Sequence, residues 1–130
     1  MKYMVGSILA FFLVAPLQAL EAEEFSQERF EALQAENALV LVDIFATWCP
    51  TCARQHEILA DYQAEHPEVD LHILTVNYDN DRATVRRFRA PRQSTLLLFK
   101  GERQHWFSVA ETRPEVIFAE INRAAAFGEE

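Results

Sequence analysis

Two cysteines are the residues of this chain best suited to chemistry. They are the only cysteines in the sequence, and they lie two residues apart in the stretch ATWCPTC, as Cys49 and Cys52. Two thiols at this spacing can form a structural disulfide, supply two ligands to a metal ion, or exchange electrons with the thiols of other proteins. The sequence on either side of the pair bears on all three possibilities.

The local sequence favours a redox pair. Residues 38–46 (ALVLVDIFA) form an apolar run typical of a buried strand, and Pro50 fits the first turn of a following helix. The dipole and free N–H groups of a helix N-terminus stabilise an anion, so we expect the Cys49 thiol to ionise readily. Cys52, one turn further on, would be shielded and able to attack a mixed disulfide formed on Cys49. Closing such a short loop adds little stability, which argues against a structural disulfide.

A metal site is the main alternative. His56 follows Cys52 by four residues, so Cys49, Cys52 and His56 could face one point. Zinc normally takes four ligands in a structural site, and we find no fourth ligand in the sequence. We therefore expect His56 to be an ordinary helix residue and predict no metal and no other cofactor. A non-enzymatic metal-binding or adaptor module remains the alternative function.

Two further residues near the cysteines could take part in the chemistry. Trp48 directly precedes the first cysteine and would shield the pair and offer partners an apolar contact, unless it simply packs into the domain. Asp43 lies inside the apolar strand, on the face that also carries Leu41 and Phe45. A carboxylate there could accept the proton of the second cysteine when a mixed disulfide is resolved, unless the strand end lets it reach water.

Hydrophobic periodicity and turn residues predict the elements that position the pair. We expect strands at 38–46, 71–76, 95–100 and 104–109 and helices at 27–36, 50–65 and 82–89, the first of these helices capped by Ser26. A capping box at 112–115, with Thr112 as N-cap, predicts a last helix that ends at about 126. Strands joined by helices are usually parallel, whereas the short link between the last two strands requires an antiparallel hairpin. The sequence therefore predicts an α/β fold with a central mixed sheet and helices on both faces.

Composition limits the chain to one domain and excludes one class of partner. With 130 residues, half of them apolar, the chain can bury a core without cross-links. The formal net charge of −8 disfavours nucleic acid as a partner, because phosphate binding needs a basic surface. We expect a monomeric protein that does not bind nucleic acid.

The N-terminus has the layout of an export signal. Residues 1–19 contain one early lysine, an apolar run at 4–14 and a small residue, Ala19, at the end. We expect cleavage after Ala19, or as late as Ala22, and a folded domain at 23–127. The apolar run is shorter than the about 20 residues of a membrane span, although a retained N-terminal anchor is the alternative. Outside the cytosol, disulfides form and persist.

Around the cysteines the chain resembles the thioredoxin superfamily. The stretch VDIFATWCPTC, residues 42–52, is similar to the active-site strand and helix start of thioredoxins, and TLLLFKGE, residues 95–102, is similar to their later hairpin. ATWCPTC, the nearby His56-Glu57 and NYDNDR, residues 77–82, resemble the periplasmic thioredoxin-like reductases of cytochrome c maturation even more. The likeness covers nearly all of the expected domain and implies a thioredoxin fold.

The resemblance also implies roles and partners. Cys49 would be the nucleophile, Cys52 the resolving thiol and Asp43 the buried acid. The protein would be a periplasmic thiol–disulfide oxidoreductase that acts on protein disulfides, favoured as a reductase and recycled by a membrane-bound redox partner. Thr75 replaces the lysine that usually lies beside the buried acid. The chain lacks the longer central insertion of the maturation reductases, which weakens an assignment to cytochrome c maturation.

The chain departs from thioredoxins at the position of their cis-proline. That position is Ser94, within the stretch RQST. Because a cis bond before a residue other than proline costs about 3 kcal/mol, we predict a trans Gln93–Ser94 bond and a reshaped loop. We expect the residues around the pair to contact partners, namely Trp48, Pro50, Thr51, Gln93 and Ser94.

Overall fold

Nine helices and strands lie within residues 19–128, the part of the chain that this computed structural model describes. In chain order they are β1 (Glu23–Glu24), α1 (Gln27–Ala35), β2 (Leu39–Phe45), α2 (Pro50–Glu65), β3 (Leu71–Asn77), α3 (Arg82–Arg87), β4 (Thr95–Lys100), β5 (Arg103–Val109) and α4 (Pro114–Ala125). The predicted signal segment, residues 1–19, falls outside the described residues except for Ala19.

The five strands form one mixed sheet in the order β1-β3-β2-β4-β5. The central strand β2 pairs in parallel with β3 and antiparallel with β4, and β4 forms an antiparallel hairpin with β5. The strand β2 therefore has a strand partner on each side, as expected for a central strand that is apolar on both faces apart from Asp43. The predicted mixed sheet is confirmed.

Alternate residues of β2 face two separate layers of helices. Leu41 packs with residues of α2 and α4, whereas Val42 packs with residues of α1 and α3. Both layers are buried, which confirms helices on both faces of the sheet. Asp43 lies on the same face as Leu41, so its side chain is directed toward the α2 layer.

The strand β2 ends close to where β4 begins. Ile44, near the carboxyl end of β2, pairs with Thr95, the first residue of β4, because the two strands are antiparallel. The loop before β4 therefore lies beside the turn that joins β2 to α2. This arrangement brings the Ser94 loop to the two cysteines, which are about 40 residues earlier in the chain.

The structure corrects three details of the predicted elements. The strand β1 was not predicted, because its two exposed residues are too few to show a periodic pattern. The helix α3 ends at Arg87 rather than at 89, where Arg89 has a left-handed backbone with φ of 54°. The N-cap of α4 is Arg113 and not Thr112, because Pro114 takes the first helical position, where a missing N–H is tolerated.

Candidate active site

Cys49 and Cys52 form a disulfide at the N-terminus of α2. Cys49 is the N-cap residue, with φ of −95° and ψ of 110°, and Pro50 follows as the first helical residue. The backbone N–H of Cys52 donates a hydrogen bond to Sγ of Cys49 at 3.1 Å. The same donor would stabilise a thiolate on Cys49 after reduction, since N–H groups at a helix N-terminus favour an anion.

The two sulfurs differ in their access to solvent. Cys49 is 6% exposed and Cys52 is 1% exposed, and both pack against Ala46 and Phe45 at the end of β2. Exchange with another protein requires direct contact between sulfur atoms, so a partner meets Cys49 first.

Trp48 stands out from the surface beside the disulfide. Its side chain is 61% exposed, and its indole N–H donates a hydrogen bond to Oδ2 of Asp79 at 2.8 Å. Asp79 lies in the turn after β3, so this bond links the two loops at the same end of the sheet. Of the neighbouring residues within the motif, Pro50 is exposed and Thr51 is half-buried.

The loop before β4 closes over the disulfide. Residues 19–128 contain no cis peptide bond, so the prediction of a trans Gln93–Ser94 bond is confirmed. Gln93 is half-buried, whereas Ser94 is fully buried and has a left-handed backbone with φ of 63°. The Oγ atom of Ser94 lies 3.1 Å from Sγ of Cys49 and 3.1 Å from Sγ of Cys52. The sequence predicted a reshaped loop but not a hydroxyl group in contact with both sulfurs.

Gln55 anchors this loop to α2, a role that was not predicted from the sequence. Its side chain is fully buried, and its amide N–H groups donate to the carbonyl oxygens of Ser94 at 3.2 Å and Glu111 at 3.0 Å. The N–H of Ala110 also donates to the Ser94 oxygen, at 2.9 Å. Gln55 follows Cys52 by three residues, so helical spacing could have placed both side chains on one face of α2.

Asp43 is buried beneath α2 and is bound by His56. The carboxylate has no exposed surface, and its Oδ2 atom lies 2.5 Å from Nε2 of His56. Its other oxygen, Oδ1, has no hydrogen-bond partner among the described residues. The expectation that His56 is an ordinary helix residue is therefore wrong. Its place one turn after Cys52 directs the ring toward β2, where it contacts Asp43.

The contact with Asp43 changes the protonation of His56. The hydrogen bond and the negative charge of Asp43 raise the pKa of His56 above its usual 6.5, against the opposing effect of partial burial. The His56 side chain is 30% exposed, so the ring joins a buried carboxylate to solvent. Thr75, at the position of the usual lysine, instead donates its hydroxyl to the carbonyl oxygen of Glu23.

The structure gives no support to a metal site at the cysteines. The sulfurs are bonded to each other, and the third expected ligand, His56, is engaged by Asp43. Across residues 19–128, no group of three or more His, Cys, Asp or Glu side chains is placed to hold a metal ion.

The described helices include none that is long and apolar enough to span a membrane.

Comparison with known proteins agrees with this geometry. The family model described as Redoxin matches residues 18–108. Thioredoxin-1 of Saccharomyces cerevisiae is 32% identical over 75 residues, which are 58% of this chain and 71% of the yeast protein. The thiol:disulfide interchange protein DsbE of Yersinia pestis is 31% identical over 71 residues, but the match spans 52% of this chain and only 36% of that protein.

Solved structures of similar proteins share the fold. The crystal structure of Trxlp from Edwardsiella tarda has a TM-score of 0.73 and 36% identity, and covers 78% of this chain and 98% of its own. Mitochondrial thioredoxin 3 from Saccharomyces cerevisiae, in its oxidised form, has a TM-score of 0.66 at 18% identity, covering 78% of this chain and 93% of its own. The predicted thioredoxin fold is confirmed.

Proposed function

The chain belongs to the redoxin family and is a thiol–disulfide oxidoreductase of the thioredoxin superfamily, and from this premise we propose that it is exported and reduces disulfides in other proteins. The observation that carries the proposal is the Cys49–Cys52 disulfide at the N-terminus of α2, with Cys49 the more accessible sulfur. A pair in this position can be opened and closed without rearranging the core, because both residues lie at the edge of a preformed helix.

The proposed reaction starts from the reduced pair. The Cys49 thiolate attacks a disulfide of the partner and forms a mixed disulfide, while the first partner sulfur leaves as a thiolate and takes up a proton. The Cys52 thiol then loses its proton and attacks Sγ of Cys49. The Cys49–Cys52 bond forms, the bond to the partner breaks, and the partner leaves with its second thiol. Two electrons pass from the enzyme to the partner.

Asp43 and His56 supply a route for the proton that Cys52 loses. Asp43 lies under the helix that carries Cys52, and its Oδ1 atom is free of hydrogen bonds within the described part of the chain. We propose that this carboxylate accepts the proton as a general base. His56 touches the same carboxylate and reaches solvent, so it can pass the proton on to water.

The surface around Cys49 is proposed to hold the partner. Trp48 is exposed and offers an apolar contact, and Pro50, Thr51 and Gln93 lie in the two segments that flank the disulfide. The backbone of Gln93 would contact an extended stretch of the partner, as the resemblance to thioredoxins implies. Ser94, also expected to contact the partner, is instead fully buried, and its carbonyl oxygen is hydrogen-bonded to Gln55 and Ala110. A monomer is sufficient for this mechanism, since every residue that it uses lies on one chain.

Export is supported by the N-terminal sequence. Residues 1–19 have a signal-peptide layout, and we propose a periplasmic location, with a retained N-terminal anchor as the alternative. A reductase in an oxidising compartment must be recycled, so a membrane-bound electron donor is part of the proposal. A fusion of residues 1–22 to a reporter enzyme that is active only outside the cytosol tests export. An inactive fusion would contradict it, and membrane fractionation would separate a cleaved protein from an anchored one.

The reduction potential of the Cys49–Cys52 pair tests the direction. We expect equilibration with glutathione buffers to give a value near that of thioredoxin, about −270 mV. A value near about −120 mV would instead indicate a disulfide donor. A Cys52→Ser variant should trap protein partners through Cys49, and the Cys49→Ser variant is the matched control that should trap none. If Cys52→Ser recovers no partner, protein disulfides are not the substrate.

A further inference from the structure

The hydroxyl group of Ser94 is in equal contact with the two sulfurs of the disulfide. Its Oγ atom lies 3.1 Å from each Sγ, and the side chain has no exposed surface. A serine hydroxyl has one proton to donate and can rotate to direct it. The hydroxyl can therefore donate to either sulfur without any movement of the backbone.

The position of Ser94 is fixed by its own backbone. Its carbonyl oxygen accepts hydrogen bonds from the Gln55 side chain and from the N–H of Ala110. Both Ser94 and Ala110 have positive φ, of 63° and 60°, a conformation that L side chains disfavour. Such a conformation persists only where the surrounding contacts hold it, and it is found most often at functional sites. Here it places the Ser94 hydroxyl against the two sulfurs.

The two sulfurs do not have the same set of donors. Sγ of Cys49 is within reach of both the Cys52 N–H and the Ser94 hydroxyl. For Sγ of Cys52, the described residues provide only the Ser94 hydroxyl. A thiolate on Cys52 would lack a hydrogen-bond donor in this structure if Ser94 had no hydroxyl.

We propose that Ser94 is a further catalytic residue, whose hydroxyl donates a hydrogen bond to whichever of the two cysteine sulfurs carries negative charge. This inference rests on the proposed dithiol–disulfide exchange but not on its direction. In the first step the hydroxyl stabilises the Cys49 thiolate that attacks the partner. In the second step it rotates to the Cys52 sulfur as that sulfur loses its proton to Asp43. Ser94 keeps its own proton throughout, so it changes neither the atom nor the electron balance.

Replacement of the hydroxyl has three expected effects. In Ser94→Ala, loss of a hydrogen bond to a charged group should make both thiolates about tenfold less stable, which raises the pKa of the Cys49 thiol by about one unit. The reduced form becomes less stable, so the equilibrium with glutathione shifts about tenfold toward the disulfide, a change of about 30 mV toward more negative potential. Decay of the mixed disulfide should slow more than its formation, because Cys52 has no second donor.

The measurements use the full folded domain and need no protein partner. The thiolate absorbance of the reduced protein against pH gives the Cys49 pKa, and glutathione equilibration gives the potential. Stopped-flow reaction with a small aromatic disulfide separates formation of the mixed disulfide from its decay. A failed search for protein substrates would count against the proposed function and would leave these three quantities unaffected.

Thr95→Val is the matched control. Thr95 is the adjacent buried hydroxyl residue, and its Oγ1 atom donates to the carbonyl oxygen of Arg92 and not to a sulfur. This variant should leave the Cys49 pKa and the potential unchanged. Ser94→Gly is a second variant without the hydroxyl. Glycine adopts a positive φ without strain, so this variant keeps the proposal testable if Ser94→Ala does not fold. Unchanged values in both Ser94 variants, or equal shifts in Thr95→Val, would overturn the proposal.

Discussion

Nε2 of His56 lies 2.5 Å from Oδ2 of Asp43, which joins a fully buried carboxylate to a ring that is 30% exposed. The two residues lie on different elements, β2 and α2, and His56 follows Cys52 by one helical turn. The contact gives the buried acid a hydrogen-bond partner that is charged when protonated, and a way to exchange protons with water.

The first prediction concerns the dependence of stability on pH. Because the pKa of His56 is raised in the folded state, the pair stabilises the folded protein fully below the unfolded pKa of about 6.5, and this stabilisation is lost as the pH rises through the folded pKa. The free energy of unfolding of the wild type, relative to Asp43→Asn, should therefore fall from mildly acidic to alkaline pH. At alkaline pH we expect Asp43→Asn to be the more stable, because it removes a buried charge.

Urea denaturation of the oxidised protein over a series of pH values measures this difference, and the disulfide keeps the cysteines from titrating. NMR titration of the His56 ring should show its pKa lower in Asp43→Asn than in the wild type. Equal His56 titrations in the two proteins would show that the contact with Asp43 does not control the ring.

The second prediction concerns the exit of the proton. His56→Gln keeps an N–H donor for Asp43 but cannot carry a proton, so turnover with a protein disulfide should slow by about tenfold, less than the about 100-fold or greater loss of a direct general base. The mixed disulfide should live longer, and added imidazole should restore part of the rate. His72→Gln is the control, since His72 pairs with Asp70 at the opposite end of the sheet. Equal turnover in the two variants would rule out a role for His56.

The third prediction concerns partner binding by Trp48. Because the indole is mostly exposed and loses only its surface hydrogen bond to Asp79, Trp48→Ala should lower the free energy of unfolding by no more than about 1 kcal/mol. It should raise KM for a protein disulfide about tenfold, as expected for an aromatic contact residue, and leave reaction with a small disulfide unchanged. Phe127→Ala, which removes an exposed ring just after α4, is the control. A parallel loss with both kinds of substrate would mean that Trp48 acts on the disulfide itself.

The fourth prediction concerns the anchoring of the loops by Gln55. Gln55→Leu leaves the carbonyl oxygen of Glu111 without its side-chain donor, so we expect a loss of about 1–3 kcal/mol in unfolding free energy. Hydrogen exchange at the Ala110 amide should become faster, because the Ser94 loop loses its link to α2. Gln63→Leu, on the same helix but bonded to Glu21, is the matched control. Unchanged exchange at Ala110 would show that the loops hold their shape without Gln55.

The sequence was sufficient for most of the elements and for the redox pair. The apolar run before ATWCPTC and the proline within it are local signals, and both the strand β2 and the helix α2 form where these signals predict them. The cap of α4 was predicted wrongly: the capping-box pattern at 112–115 indicated Thr112, but Pro114 takes the first helical position and makes Arg113 the N-cap. The short strand β1 carries no periodic signal at all.

Contacts between distant residues were decided only by the tertiary structure. A single sequence places Asp43 on a strand face and His56 on a helix face, but the distance between them depends on how α2 lies across the sheet. The contact of Ser94 with both sulfurs joins residues more than 40 positions apart and depends on a left-handed backbone that the sequence QST does not specify. The sequence alone therefore indicated the cysteine pair and its place at a helix start, whereas packing of α2 and of the loop before β4 decided which groups surround the pair, because these distances are set by the whole sheet and its helices.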